Sequence, residues 1–320
     1  MNGNADEFKY PPILLPVKPC VYDSVAEVTK EVERWAIEFK LFQGESGKLK
    51  LKNEVIVKLA CRCFPYCNAE KIILVAKYMV HLVLMDDLIS GEKQGPFFDL
   101  LIKHDKCNEN LVDLLNTSIN YDKCPIATSF ADLWKQLKKL TNQQWQRRFA
   151  ESYIWFLKSH LWEKNNLQSG RIPEIGEYTS GRIYTSGVEP TLCIVELACN
   201  ISIPEYVIAN STFQRLITTV INVVAFENDL HSFEKELKAN DVHNLVIVMK
   251  NAYNISYQEA INRASHHVND EIQKFFHFEK LMPSFGNLTD DFLKLFFEGL
   301  RHLMRGNHDW GEVTGRYNRH

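Results

Sequence analysis

The chain is short of turn formers, of net charge and of any long unbroken apolar run. Glycine (14) and proline (11) are scarce for 320 residues, below the roughly 12% of average usage. A sandwich or propeller, with its many tight turns, would want more of both. The formal net charge of −3 and isoelectric point near 6.4 leave no basic footprint, so nucleic acid is not an expected partner. The most apolar stretch, Ile72 to Leu84, is broken by Lys77 and His81 and halted by Asp86 and Asp87. It is too short and too charged for a membrane span. The opening MNGNADEFKY lacks the basic start and apolar stretch of a signal peptide. The eight cysteines therefore read as reduced thiols of a cytoplasmic protein.

Several local signals lead nowhere. There is no P-loop and no Gly-x-Gly-x-x-Gly fingerprint. Cys61-x-Cys63-x₃-Cys67 lacks a Cys-x₂-Cys zinc knuckle and reads as packed thiols beside the turn at Pro65. His104-Asp105 and His308-Asp309 stand outside any run of further ligands and read as surface pairs. Adjacent His266 and His267 point about 100° apart on a helix and cannot share a metal.

What the chain does have is helical periodicity. Apolar residues make up 45% and charged residues 24%, the balance of a folded globular protein. Val25, Val28, Val32, Trp35, Phe39 and Phe42 describe one helix face behind a cap at Asp23 or Ser24. Asn68 can cap a helix over about 69–89 that is apolar nearly all round, as befits a helix enclosed by others. Trp145, Phe149, Tyr153, Phe156 and Leu161 mark another. A long helix starts around Leu216, Val220 and Val224 and runs to about Lys238. Ser256 and Glu259 form a capping box, and Phe292, Leu295, Phe296 and Leu300 stripe a last helix. A break is expected at 168–177, and the proline-punctuated residues 1–20 read as an ordered strap. No strand pattern, repeat or compositional shift appears. The expectation is one all-α domain over residues 1–320, its helices around a central space.

Two acidic sites carry chemistry. Asp86 and Asp87 end the apolar helix, where their mutual repulsion and the helix macrodipole both call for a cation. Hard carboxylate oxygens there would suit Mg²⁺. In the second site Asn228, Ser232 and Glu236 stand at i, i+4 and i+8, stacked about 6 Å apart on one helix face, with Lys235 on its flank. Three oxygen donors so placed could embrace one hard cation. Asp229 could orient a ligand or face water.

Together these sites resemble the metal motifs of the class I terpene synthases, the all-helical, mostly microbial single-domain type. Asp86-Asp87 with Glu92 is similar to the family's aspartate-rich motif, and Asn228-Asp229-x-x-Ser232-x-x-x-Glu236 to its second metal motif, including the Lys235 that reaches the diphosphate. Arg182 resembles the diphosphate-sensing arginine, Arg316-Tyr317 the family's Arg-Tyr pair, and Trp310 an aromatic of the product cavity. The likeness spans about residues 10–317. It departs from the pattern in three places: Glu92 lies six residues after Asp86, Ser90 stands where many members have Asp, and Thr185-Ser186 replace the Asp-Gly that follows the sensor in bacterial members. Thr185 cannot supply the linking carboxylate, whereas the Ser186 carbonyl can still take the glycine's part in triggering ionisation.

The resemblance implies Mg²⁺ (three ions), metal ligands Asp86, Asp87, Asn228, Ser232 and Glu236, and diphosphate donors Arg182, Lys235, Arg316 and Tyr317. It implies a prenyl diphosphate substrate, farnesyl diphosphate foremost, ionised and cyclised by a monomer or homodimer. A rival is a chain-elongating prenyl transferase, which would need two facing Asp-Asp-x-x-Asp motifs; the Asn/Ser/Glu set speaks against it. The other is a catalytically silent helical protein that binds a prenyl diphosphate or a partner.

Overall fold

The computed structural model describes residues 8–41, 56–89 and 125–317. Among them are twelve helices and no strand: α1 (Val25–Glu38), α2 (Ile56–Cys63), α3 (Ala69–Ile89), α4 (Pro125–Leu140), α5 (Gln143–Ser169), α6 (Ile175–Thr185), α7 (Val188–Cys199), α8 (Glu205–Ile208), α9 (Ser211–Lys238), α10 (Leu245–Tyr253), α11 (Tyr257–Lys280) and α12 (Asn287–Gly311). Phe42, Ser90, Glu92 and the His104-Asp105 pair lie outside the described residues. None of the described helices is long and apolar enough to cross a membrane.

Asparagines start the helices that matter most, each satisfying a backbone N–H that helix geometry leaves open. Asn68 accepts from the Lys71 amide at 2.9 Å, Asn142 from Trp145 at 2.9 Å, and Asn210 from Thr212 and Phe213 at 3.0 and 3.1 Å. Ser256 accepts from Glu259 N at 3.2 Å, one half of a capping box, while the Glu259 carboxylate accepts from Arg263 at 2.8 Å. Ser24 occupies the cap position of α1 without a side-chain bond. The break expected near 168–177 falls between α5 and α6, where Gly170 closes α5 at φ +64°. That left-handed conformation comes without penalty to glycine.

Helix α9 runs through the middle, packed by α11, α12, α10, α6 and α7. It is 28 residues long and has no glycine or proline. Two of the four residues predicted for the α12 stripe, Phe292 and Leu295, give way to Leu293 and Phe297. Leu293, Phe296, Phe297 and Leu300 face inward, while Leu295 is 52% exposed. The spacing of FLKLFF allows either set, and tertiary packing, with Phe296 stacked on Phe213 of α9, selects one.

Residues 8–20 form neither helix nor strand and lie against α9 and α11. Phe8 meets the rings of Phe233 and Tyr257 edge-on, and Tyr10 donates to Glu234 at 3.1 Å. The Lys9 and Leu14 amides donate to Gln258 and Asn269 of α11 at 3.0 and 2.7 Å. Cys61, Cys63 and Cys67 are buried free thiols, and burial pushes Cys61 and Cys67 up to about 12, as inert packing implies. His308-Asp309 is not a surface pair: His308 bonds Glu227 at 2.5 Å and Asp309 is held by Arg305 at 2.7 Å.

Helix α12 approaches α2 so closely at Gly306 that a Cβ there would sit 2.4 Å from the backbone nitrogen of Cys63. Gly306→Ala should therefore cost about 1–3 kcal/mol as overpacking against rigid backbone, lowering the melting temperature by several degrees. Gly176→Ala, with nothing within 4 Å of the added carbon, should leave it unchanged or raised.

Candidate active site

One cavity of about 440 Å³ opens between α3, α6, α9 and the C-terminal turn. Its lining collects nearly all the residues singled out in the sequence: Asp86, Asp87, Arg182, Ser186, Asn228, Lys235, Glu236, Trp310, Arg316 and Tyr317. The depth is apolar, with Leu59, Met79, Leu82, Phe156, Val188, Val224, Leu303 and Trp310. Trp310 is 3% exposed and packs edge-on against Tyr317, ring centroids 5.7 Å apart.

The mouth is ionic. Arg316 reaches across the end of α3 and donates to Asp86 at 3.1 Å and Asp87 at 2.8 Å. The last turn of α3 contains no basic residue, so Arg316 supplies the cation its macrodipole favours. Burial works to raise the Asp86 carboxyl, but His160 and Arg316 overcome it and hold the group down at about 2. His160, from α5, donates Nδ1–H to the Phe156 carbonyl at 2.6 Å and turns Nε2 toward Asp86 at 3.9 Å. Burial lowers the His160 imidazole, yet Asp86 and Glu163 bring it above its ordinary value.

The opposite wall is built by α9 and α6. Asn228 donates to the Tyr317 hydroxyl at 2.6 Å and accepts from Arg182 at 3.1 Å. Arg182 also grips Asp229, with Nε 3.1 Å from Oδ1. Asp229 is 1% exposed and takes two more bonds, from Tyr178 at 2.6 Å and the Leu245 amide at 3.0 Å. The carboxylate that pairs with Arg182 thus belongs to α9, not to position 185. Thr185 itself offers only a hydroxyl 3.5 Å from Arg182. Ser186 ends α6, and Gly187 turns the chain into α7 at φ +67°, where a side chain would press on Leu82 and Phe156 at 3.2 Å.

Ser232 is the exception among the anticipated lining residues. It is 1% exposed, and its hydroxyl donates to the Asn228 carbonyl at 2.8 Å, one turn beneath the cavity wall. Glu236 accepts from Asn244 at 2.8 Å, the same amide that bonds the Asp229 carbonyl at 2.7 Å. Burial first, then the charge of Asp229, pushes Glu236 up to about 8. Five carboxylates (Asp86, Asp87, Glu163, Glu236 and Asp241) line the cavity against the cations Arg182, Lys235 and Arg316. That surplus of hard oxygen donors fits divalent cations of the Mg²⁺ kind. Glu92 lies outside the described residues.

Asp229 falls inside the second motif, where the spacing left its role open, while nothing in the spacing pointed to His160. Asp229 does sit beside Asn228 in sequence, but its burial depends on Tyr178 and Leu245 from other helices.

Residues 77–274 match the family model described as terpene synthase family 2, C-terminal metal binding. The chain belongs to this family, the class I terpene synthases of the microbial single-domain type, and is a lyase. Among curated relatives, it is similar to 10-epi-cubebol synthase of Sorangium cellulosum, 25% identical over 93% of this chain and 94% of that one. Another is (+)-T-muurolol synthase of Roseiflexus castenholzii, a (2E,6E)-farnesyl diphosphate cyclizing enzyme, 28% identical over 88% and 86%. The fold is similar to that of linalool/nerolidol synthase from Streptomyces clavuligerus, with a TM-score of 0.83, 20% identity and coverage of 94% and 100%.

The Arg182–Asp229 pair has a consequence for folding. Asp229→Asn leaves the guanidinium without its buried counter-charge and should cost about 3–5 kcal/mol in denaturant unfolding. Tyr178→Phe removes one hydrogen bond to the same carboxylate and should cost about 1.5–3 kcal/mol. Combined with Asp229→Asn, it should add less than its own single effect, because both act on one network.

Proposed function

We propose that the protein is a Mg²⁺-dependent sesquiterpene synthase that ionises farnesyl diphosphate and guides the allylic carbocation to a cyclised or rearranged product, ended by proton loss or capture of water. The observation that carries this reading is the continuous path Asp86/Asp87–Arg316, Tyr317–Asn228–Arg182 around the mouth of a single apolar cavity. Donors for a diphosphate and ligands for cations surround the place where the head group would sit, and hydrocarbon fills the depth below.

Asp86 and Asp87 on one wall, and Asn228, Ser232 and Glu236 on the other, would hold Mg²⁺, expected as three ions. Bound there, it supplies the charge neutralisation that lets a diphosphate leave. Ser232 enters that set by turning its hydroxyl from the Asn228 carbonyl toward the cavity.

The chain's own groups do the rest. Arg316, which here bridges Asp86 and Asp87, would turn its fork onto the diphosphate, and Tyr317 would add a hydroxyl. Arg182 offers a bidentate donor already oriented by Asp229, and Lys235 a point charge. Ser186, at the break between α6 and α7, would present its carbonyl to the developing allylic cation. Phe156 and Trp310 keep the hydrocarbon chain dry, and the Trp310 face can stabilise a passing cation by up to about 2 kcal/mol. The second metal motif, Asn/Ser/Glu rather than Asp-rich, argues against chain elongation.

The purified protein, given geranyl, farnesyl and geranylgeranyl diphosphates with Mg²⁺, should yield a terpene from farnesyl diphosphate, read by gas chromatography–mass spectrometry. No product from any of the three under conditions where a control synthase works would overturn the proposal, and lengthened products with isopentenyl diphosphate would redirect it. Asn228→Leu and Glu236→Ala should abolish turnover. Arg182→Lys should cut it at least tenfold, the scale of a lost charged hydrogen bond. Trp310→Leu should change the product mixture more than the rate of diphosphate release.

Glu236 adds a pH dependence. Its folded pKa, about 8, lies above the ordinary carboxylate value of 4.5. Its contribution to metal-free stability is therefore complete below about pH 4.5 and lost as the pH rises through about 8. The melting temperature of the metal-free protein should fall across that window, while stabilisation by Mg²⁺ with inorganic diphosphate should grow. Glu236→Gln should flatten both trends.

A further inference from the structure

A second group of metal-type donors lies behind α9, outside the cavity. Glu227 and His231 stand one turn apart on α9, and His308 meets them from α12. One ligand atom from each, a carboxylate oxygen and two ring nitrogens, lies within 4.8 Å of the other two. Glu227 is 1% exposed and His231 5%. Oε1 of Glu227 takes the His308 Nδ1 contact at 2.5 Å. Its other oxygen, Oε2, is buried and accepts no hydrogen bond of ordinary geometry among the described residues, with the Asn307 side chain the nearest neutral donor to the carboxylate. Leaving a carboxylate oxygen in that state is costly unless something positive comes to it.

Two further features complete the surroundings. His231 Nδ1 lies 3.7 Å from Oε1 of Glu312, so a second carboxylate is at hand. The His231 ring rests directly on Gly311, where a Cβ would lie 2.4 Å from it. Any other residue at 311 would push the imidazole away from its present seat.

The donor chemistry differs from that of the cavity mouth. Oxygen-only ligands suit Mg²⁺, whereas two imidazoles with a carboxylate suit Zn²⁺ and similar borderline ions. At metal–ligand distances near 2.0–2.1 Å, tetrahedral ligands sit about 3.3 Å apart. We propose that Glu227, His231 and His308 form a second metal site, selective for Zn²⁺ over Mg²⁺, with Glu312 as fourth ligand or as the carboxylate that orients His231. The ion would staple α9 to α12 and to the turn that carries Arg316 and Tyr317. This site stands independently of the reaction assigned to the cavity.

The test uses the intact chain stripped of metal, with Zn²⁺ titrated in excess Mg²⁺ by calorimetry and counted by elemental analysis, and Co²⁺ as a coloured probe. One Zn²⁺ per chain should be retained, and Co²⁺ should give the visible absorption of a low-symmetry nitrogen–oxygen site. Glu227→Gln and His308→Gln should each weaken binding at least tenfold, with circular dichroism in chelator unchanged, while Asp86→Asn should leave it intact. A wild type that retains no Zn²⁺ in excess Mg²⁺ would overturn the proposal whatever the variants do. So would retention that survives both glutamine substitutions, or that disappears with Asp86→Asn; in each case Glu227–His308 is an internal hydrogen bond and nothing more.

Discussion

Like charges crowded at the mouth of a greasy hole are the constraint around which this molecule is arranged. Asp86 and Asp87 end an apolar helix where the backbone dipole already disfavours anions, and Glu163, Glu236 and Asp241 crowd the same rim. Such a set is tolerable only with cations among it. Arg316 serves in part, bridging both aspartates. The remaining deficit is what makes the cavity receptive to divalent ions.

Everything that fixes the opposite wall is anchored through one buried carboxylate. Asp229 joins α6 through Tyr178 and Arg182 and α10 through the Leu245 amide, while Asn244 caps α10 and bonds the Asp229 carbonyl and Glu236 with one amide group. The same bonds that tie three helices together therefore set the direction of Arg182 and Glu236. Fold stability and site geometry are not separable here.

The sequence reading reached most of this because its signals were local. Periodic apolar residues and asparagine caps placed the helices, and the i, i+4, i+8 oxygens of α9 stood out without any tertiary information. What escaped depends on who meets whom. The stripe of α12 slipped to Leu293 and Phe297 because residues 292–297 offer two equivalent apolar faces, and only the helices packed around them choose between the two. Asp229 reads as polar residue beside polar residue until Tyr178 arrives from another helix. His308-Asp309 looked like a surface pair because Glu227, 81 residues earlier, is its real neighbour. Ser232 was expected on the cavity wall, but its hydroxyl has the nearer option of its own helix's carbonyl.

The bridge from Arg316 to Asp86 and Asp87 joins positions 230 and 229 residues apart. Contacts of such separation form late, after the entropy of closing the intervening loop has been met by everything between. During synthesis, then, the acidic end of α3 is complete long before its arginine exists. The growing chain offsets that negative charge with His160 and Arg182 as they are made and with ions from solution, and the arginine at position 316 joins last.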